Sequence, residues 1–345
     1  MGLRVRRWPE GATDFSRVRT GPSRSRVGGV VFWFVILSGR VGDVWAQDLS
    51  PLVTQCASGG SPQLLTVCRS MVLTAQAIRG GIALADRSGA DLSGASSTLG
   101  KRLGSAPRVS VDLRLRGSRF ATPDVLGGGT GVAAENSVNA FGLTGSVALG
   151  LLDGFALMPT VGGVFSLDLL ASGSVFFLDE SDGFLGDEGI LSVGGRLGVF
   201  RESFTLPGVT VSAVHSFGQR VGWTGAADGP AIDTEISTTS VRATTGKNFF
   251  TFAVLGGVGW DWDRGELGVE VPDPATPGVL GTALMGGLTT RRTVYFAGAS
   301  ITRLVFQISV EGGWSGGYDG LPGYMGAYDP AGNSPFVSVA GRLTI

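Results

Sequence analysis

The feature that most constrains the fold is a strict alternation of apolar and polar residues between positions 108 and 120. Apolar and polar side chains take turns in the order Val109, Ser110, Val111, Asp112, Leu113, Arg114, Leu115, Arg116. Successive side chains of a β-strand point to opposite faces, so this segment has one apolar face and one charged face. Such a strand fits a soluble sandwich, and it fits a membrane barrel whose apolar face meets lipid.

The rest of the chain favours the membrane barrel. Comparable alternation recurs in residues 141–151, 191–199, 250–262 and 304–314, where small residues with a few charges oppose the apolar ones. The sequence holds 58 Gly and is only 16% charged, whereas soluble domains are about 25% charged. A narrow lumen needs small side chains and a few paired charges. We therefore predict an all-β fold, a closed antiparallel up-and-down transmembrane β-barrel of about ten strands (about 8 to 12).

The predicted connections alternate between short and long. Short turns are expected at Asp153–Gly154, 202–207, Lys247–Asn248 and Thr302–Arg303, and long loops at 121–136, 171–188, 218–236, 263–290 and 315–333. In outer-membrane barrels short turns face the periplasm and long loops face outside. Within the fourth loop, residues 281–290 are compatible with either a strand or a loop.

The N-terminus carries the features of a secretory signal peptide. Eight apolar residues from Val30 to Leu37 follow Arg24 and Arg26, and Val44-Trp45-Ala46 offers small residues for cleavage. The apolar run is too short to cross a bilayer; a buried strand or core helix is the alternative. The basic leader before this run is long, and we hypothesise that translation starts downstream of Met1. The predicted organisation is a signal peptide at 1–46, a periplasmic helical segment and linker at 47–107, and the barrel at 108–345.

The segment before the barrel is expected to contain one helix. Apolar residues recur at helical spacing from Gln63 to Ala85, with Ser61 as N-cap and Pro62 at the first helical position. Gly80-Gly81 is expected to weaken or end this helix.

Cys56 and Cys68 are the only cysteines. An even number of cysteines in an exported chain indicates a disulfide, which here would tie the helix to the loop before it. Metal binding is the weaker alternative, because His215 is the only histidine and lies far away in sequence. A redox centre would require the Cys-x-x-Cys spacing, which the two residues lack.

The last eleven residues, Pro335 to Ile345, alternate and end on the strand itself. This segment resembles the terminal strand of bacterial outer-membrane proteins, although that class usually ends with an aromatic residue, most often Phe. Residues 108–345 likewise resemble the broad, porin-like class of small outer-membrane barrels. The resemblance implies location in the bacterial outer membrane, contact with its lipid, and recognition of the C-terminal strand by the barrel-assembly machinery.

Several chemistries are not indicated. Residues 47–345 hold 19 Lys and Arg against 25 Asp and Glu, which argues against nucleic acid as a partner. His215 and Ser216 are adjacent, so on a strand they point to opposite faces and cannot form a catalytic pair with each other. The acidic clusters 179–188 and 261–266 are compatible with calcium but lack the spacing of a calcium loop, and we expect solvated loops. We predict no enzyme activity, cofactor or metal.

Two readings of the function remain. In the first, the barrel is a narrow channel for small solutes whose selectivity depends on the lumen-facing candidates Asp112, Arg114, Arg116, Arg196, Glu311 and Arg342. In the second, such charges pair and plug the lumen, and the protein is structural or adhesive through its long loops. The sequence identifies no solute.

Overall fold

The computed structural model describes residues 48–58, 62–101, 106–125, 135–156, 162–186, 188–204, 206–225, 229–272 and 280–345. The signal peptide proposed for residues 1–46 and the predicted N-cap Ser61 lie outside these ranges. Val44–Ile345 forms one compact unit, so the helical segment and the barrel belong together. Among the described helices, none has the length and apolar character needed to traverse a bilayer.

Ten antiparallel strands close into a barrel in which each strand pairs with its neighbours in sequence and the last pairs with the first. Two helices precede them, α1 (Ser50–Cys56) and α2 (Pro62–Arg87). The strands are β1 (Val109–Pro123), β2 (Glu135–Leu152), β3 (Ser166–Phe177), β4 (Glu188–Phe200), β5 (Gly208–Thr224), β6 (Ala231–Phe249), β7 (Phe252–Pro272), β8 (Leu280–Arg303), β9 (Phe306–Ser315) and β10 (Ser334–Thr344). The predicted fold class, strand number and preceding helix are therefore confirmed.

β7 and β8 are much longer than the sequence predicts. Residues 263–272, expected to be a loop, and residues 280–290, compatible with either a strand or a loop, are paired strand in register from Asp263↔Thr290 to Val271↔Thr282. The strand count stays at ten because this region lengthens two existing strands. The turn expected at Lys247–Asn248 lies instead at Phe250 and Thr251, since β6 and β7 remain paired down to Phe249↔Phe252.

The outer face of β7 explains why its upper part was mistaken for a loop. From Phe252 to Trp262 the outward residues are apolar, aromatic or Gly, and above Trp262 they are Arg264, Glu266, Gly268 and Glu270. The apolar stretch corresponds to a band about 25 Å tall in a tilted strand. Above it the alternation inverts, so that Leu267, Val269 and Val271 point inward and are buried. These strands therefore continue beyond the bilayer with an apolar interior.

The tips of the short turns are apolar. Phe204, Phe250 and Leu304 are 96% or more exposed, and Phe250 and Leu304 have φ angles of 59° and 56°, a region in which large side chains are rare. Large apolar groups exposed in this way are unfavourable in water. At the end of a membrane barrel they meet the lipid interface instead.

Helix α2 continues through Gly80-Gly81 to Arg87, although this pair was expected to weaken or end it. Both glycines lie where other side chains press against the helix backbone. A Cβ at Gly81 would stand 2.0 Å from the ring of Phe120, and one at Gly80 would stand 1.5 Å from the hydroxyl of Tyr318. The missing side chains thus allow the helix to pass close to the wall, and its packing outweighs the poor helix propensity of Gly.

Candidate functional site

The interior of the barrel is occupied by the chain's own N-terminal part. Below, "plug" means α2 together with residues 88–101. The "long-loop end" is the end with the 124–134, 178–187, 225–230, 273–279 and 316–333 connections. The "short-turn end" is the opposite one, with the turns at 250–251 and 304–305 and the connections 153–165 and 201–207. Arg69, near the start of α2, donates to Gly323 O in a long loop (2.9 Å). At the other extreme, Lys101 N donates to Asp153 Oδ1 in the β2–β3 connection (2.6 Å). The plug therefore runs the length of the barrel.

At the long-loop end the plug is held by apolar packing. One cluster joins apolar residues of both helices to inward residues of the strands. Its fully or almost fully buried members include Met71, Val72, Ile78, Ile82, Phe120, Phe176, Ile236, Leu267 and Leu288. This part of the molecule is built like the core of a soluble domain and gains the free energy of apolar burial.

The predicted disulfide between Cys56 and Cys68 is present, with the two Cα atoms 5.8 Å apart. Both residues are fully buried, and the bond staples α1 to α2 at the long-loop end. Nearby, Leu52 of α1 packs against Gly286 of β8.

Replacing both cysteines with serine is expected to loosen α1 and leave the barrel closed. A disulfide closing a loop of this size stabilises by about 3 kcal/mol, because it restricts the unfolded chain. Limited proteolysis should then cut near α1, while heat-modifiable gel migration, which reports the barrel, stays normal. Thr66→Ala is the control, since it removes only a hydrogen bond to Pro62 O within the helix. Equal protease resistance of the cysteine variant and the parent would show that the staple contributes nothing.

Halfway along the barrel, the C-terminal end of α2 is bound by polar side chains of the wall. The hydroxyls of Ser174 and Ser216 donate to the Asp86 carboxylate at 2.8 and 2.6 Å. Arg242 of β6 donates to the carbonyl of Arg87 at 2.9 Å. The free carbonyls that end a helix are thereby partly satisfied by a cation, which also suits the negative end of the helix dipole.

Arg242 belongs to a buried network of charged wall residues. Arg242 pairs with Asp261 at 2.7 Å, and both side chains are fully buried. Arg292 of β8 lies 3.6 Å from Asp261 and 3.8 Å from Asp263, and it also donates to Gly80 O of the plug. The network thus joins three neighbouring strands to α2.

Below α2, the plug's extended part is fixed through its own backbone. The Glu311 carboxylate accepts hydrogen bonds from Ala90 N at 2.8 Å and Gly94 N at 2.9 Å. Arg114 donates to Ala90 O at 2.8 Å. One wall carboxylate and one wall guanidinium thus hold the same short stretch of the plug.

At the short-turn end, charged wall residues again bind the backbone of the plug. Asp168 accepts from Leu99 N at 3.0 Å and pairs with Arg196 at 2.9 Å, while Arg196 donates to Ser97 O at 2.6 Å. The hydrogen bond from Lys101 N also holds the pKa of the Asp153 carboxyl below its ordinary value, with a smaller contribution from Arg201.

Of the six lumen-facing candidates, Arg114, Arg196 and Glu311 bind the plug. Asp112 and Arg342 are instead directly opposite each other on β1 and β10. Neither oxygen of Asp112 accepts a hydrogen bond within the described part of the chain, although the residue is 97% buried. Arg116 is buried beside Arg87 and Asp91, around a very small cavity. A role for any of the six in selectivity stays a prediction.

The other expectations about polar residues can be placed as well. His215 points outward, with Nδ1 3.0 Å from Thr239 Oγ1, while Ser216 points inward to Asp86. The two adjacent residues therefore do lie on opposite faces. The expectation that residues 261–266 form a solvated loop is wrong, because they belong to β7 and Asp261 and Asp263 are buried. Sequence reasoning missed these two as lumen groups, although their alternation with Trp260 and Trp262 is a usable signal.

Two separate cavities flank the middle of the plug. One of about 420 Å³ lies at the short-turn end, against residues 94–99. The other, of about 130 Å³, lies at the long-loop end beside Ala77 and Gly81. Residues 82–93 of the plug lie between the two cavities.

The outside of the barrel is apolar where the inside is polar. Leu113 and Leu115 of β1 are 59% and 61% exposed on the outer face, while Ser110, Asp112 and Arg114 are buried inside. A closed barrel with an even number of strands, an outward apolar band and a polar interior is the architecture of bacterial outer-membrane proteins. The protein is a β-barrel of the bacterial outer membrane.

No protein-family model matches the chain, and no curated protein matches it either. Among solved structures, the chain is similar to the outer-membrane protease OmpT of Escherichia coli, with 15% identity, coverage of 73% of this chain and 100% of that chain, and a TM-score of 0.38. It is also similar to the translocator domain of the autotransporter NalP of Neisseria meningitidis, with 12% identity, coverage of 70% of this chain and 89% of that chain, and a TM-score of 0.34. The transport unit of the autotransporter AIDA-I of Escherichia coli is similar with 8% identity, coverage of 79% of this chain and 98% of that chain, and a TM-score of 0.36.

Proposed function

We propose that this protein is a closed outer-membrane barrel that presents α1, the disulfide and the long loops on the cell surface, and that it acts there in a structural or adhesive role. The observation that carries the proposal is the plug, which binds the wall at the long-loop end, in the middle and at the short-turn end. Of the two readings of the sequence, this arrangement favours the plugged barrel over the open solute channel.

The energetics of the contacts support a stably closed lumen. The wall residues Arg196, Arg242 and Glu311 are at most 2% exposed, and each binds backbone atoms of the plug. Asp86 of the plug is 1% exposed and accepts hydrogen bonds from Ser174 and Ser216 of the wall. Withdrawing the plug would break these hydrogen bonds, and a hydrogen bond to a charged group contributes about 1.5 to 3 kcal/mol. It would also expose the apolar cluster at the long-loop end to water.

The direction of the plug supports the assignment of the outer face. Short turns of outer-membrane barrels face the periplasm and long loops face outside. α1 contacts the long-loop end through the Gln55 hydrogen bond to Met285 O (3.5 Å). The N-terminal helices would therefore lie on the outside, whereas the sequence suggested a periplasmic segment.

Assembly is the second part of the proposal. β10 closes the barrel by pairing with β1 from Ser110↔Thr344 to Ser118↔Phe336. Because the last strand completes the ring, we propose that the barrel-assembly machinery engages it, as its resemblance to terminal strands implies.

Planar-bilayer recording tests the closed barrel. The full chain is expected to give no conductance steps, and Glu311→Gln is expected to give brief openings, because the substitution removes the charge that binds Ala90 N and Gly94 N. Asp112→Asn is the matched control: it also removes one buried lumen carboxylate, but Asp112 makes no hydrogen bond to the described plug. Steady conductance of the full chain would contradict the proposal and favour the solute channel. Equal openings in both variants would show that general lumen charge, and not plug anchoring, controls the pore.

A further inference from the structure

Two arginines lie side by side on the outer face of the barrel, just above its apolar band. In the β7–β8 register Trp262 lies opposite Arg291 and Arg264 lies opposite Thr289. Arg264 and Arg291 are therefore diagonal neighbours, about 7 to 8 Å apart and within joint reach of one small group. Both side chains are exposed.

The pair has no ion-pair partner in the part of the chain that the structure describes. Among the described residues, neither Arg264 nor Arg291 takes part in an ion pair, whereas the nearby Arg220 lies 3.5 Å from Asp233 and 3.3 Å from Glu266. Two like charges on adjacent strands repel each other. An anion shared between the two guanidinium groups would remove this repulsion and receive several hydrogen bonds.

The position of the pair indicates which anion that is. Immediately below are the outward Trp262 and Trp260, and the guanidinium of Arg291 lies 5.7 Å from the centre of the Trp262 ring. One strand further, Tyr295 and Trp314 stack at 5.9 Å. Aromatic residues of this kind mark the boundary between hydrocarbon and headgroups. The two arginines thus stand at headgroup depth, where lipid phosphates lie.

We propose that Arg264 and Arg291 form a binding site for the phosphate of an outer-leaflet lipid. The acyl chains of the lipid run down the apolar face of β7 past Trp260 and Val258, and its phosphate lies between the two guanidinium groups. A lipid, and not free phosphate, is the ligand, because the charged pair is continuous with the lipid-facing surface below it. The assignment is independent of whether the lumen is open or closed.

Lipid binding by the purified full chain tests the site. The probe is a diphosphorylated lipid A added in detergent, with the bound lipid counted by native mass spectrometry. Arg264→Gln combined with Arg291→Gln is expected to weaken binding at least tenfold, and replacing both with Lys should restore much of it. Arg220→Gln is the control, since it removes another exposed arginine that already has acidic partners. Heat-modifiable migration verifies that each variant is folded.

Each alternative gives a distinct result. Unchanged lipid binding by the double Gln variant, or an equal loss in Arg220→Gln, would overturn the site. A dephosphorylated form of the same lipid that binds the parent equally well would show that the acyl chains alone are recognised. Inorganic phosphate that competes fully with the lipid at millimolar concentration would identify a free-anion site instead.

Discussion

Asp261→Ala is expected to lower the free energy of unfolding by about 3 to 5 kcal/mol, the cost of breaking a buried ion pair by removing one partner. Asp261 is fully buried, lies 2.7 Å from Arg242 and 3.6 Å from Arg292, and accepts a hydrogen bond from Ser240 at 2.6 Å. Its loss removes the ion-pair partner of Arg242 and leaves Arg292 paired, among the described residues, with Asp263 at 3.8 Å. Because Arg242 and Arg292 also bind carbonyls of α2, the plug should loosen together with the wall.

Urea titration in detergent micelles, followed by gel migration of unheated samples, measures this loss. The control is Asp233→Ala, which removes the carboxylate of an ion pair with Arg220 whose side chains are 58% and 63% exposed. Exposed pairs contribute about 0 to 1 kcal/mol, so this variant should be nearly neutral. If both variants lost the same small amount of unfolding free energy, the buried network would contribute no more to stability than an exposed ion pair does.

The architecture could be predicted because it depends on local periodicity. Alternation between Val109 and Arg116 assigns each side chain to a face without any knowledge of the partner strand. The strand count and the approximate places of the connections follow in the same way. The turns expected at Lys247–Asn248 and Thr302–Arg303 lie two or three residues later, and β3 begins only at Ser166, well beyond the turn expected at Asp153–Gly154. The upper parts of β7 and β8 escaped because Arg264, Glu266 and Glu270 read as loop polarity, although Leu267, Val269 and Val271 still alternate with them. Above the bilayer the apolar face turns inward, and a search for outward apolar residues fails there.

The contents of the lumen depend on information that periodicity does not hold. The alternation along each strand places Arg196 and Glu311 inside. Their partners, Asp168 and the backbone of residues 90–94, depend on the strand register and on where the N-terminal segment lies. The charged residues Asp86 and Arg87 look like the solvated end of a helix until the wall surrounds them. Gly80-Gly81 reads as a helix breaker and proves to be the site at which Phe120 and Tyr318 approach the helix. Contacts between distant segments, which no single stretch encodes, decide each of these cases.

An epitope tag inserted between Ala57 and Ser58 is expected to be fully accessible to antibody on intact cells. α1 lies at the long-loop end, and the plug passes down the lumen from there to Lys101 before β1 begins at the short-turn end. If long loops face outside, the N-terminal helices must share their side of the membrane. Flow cytometry of intact and permeabilised cells gives an almost all-or-none readout.

Two further insertions calibrate this topology. A tag after Asp319, in the β9–β10 loop, should be as accessible on intact cells as the N-terminal tag. A tag in the connection between Ala156 and Gly162, at the short-turn end, should be detected only after permeabilisation. An N-terminal tag that behaves like the short-turn tag would place α1 in the periplasm and refute surface display, whatever the conductance of the barrel. If instead it follows the β9–β10 tag, the N-terminal segment must have crossed the membrane within or alongside its own barrel, because Lys101 and the start of β1 remain at the opposite end.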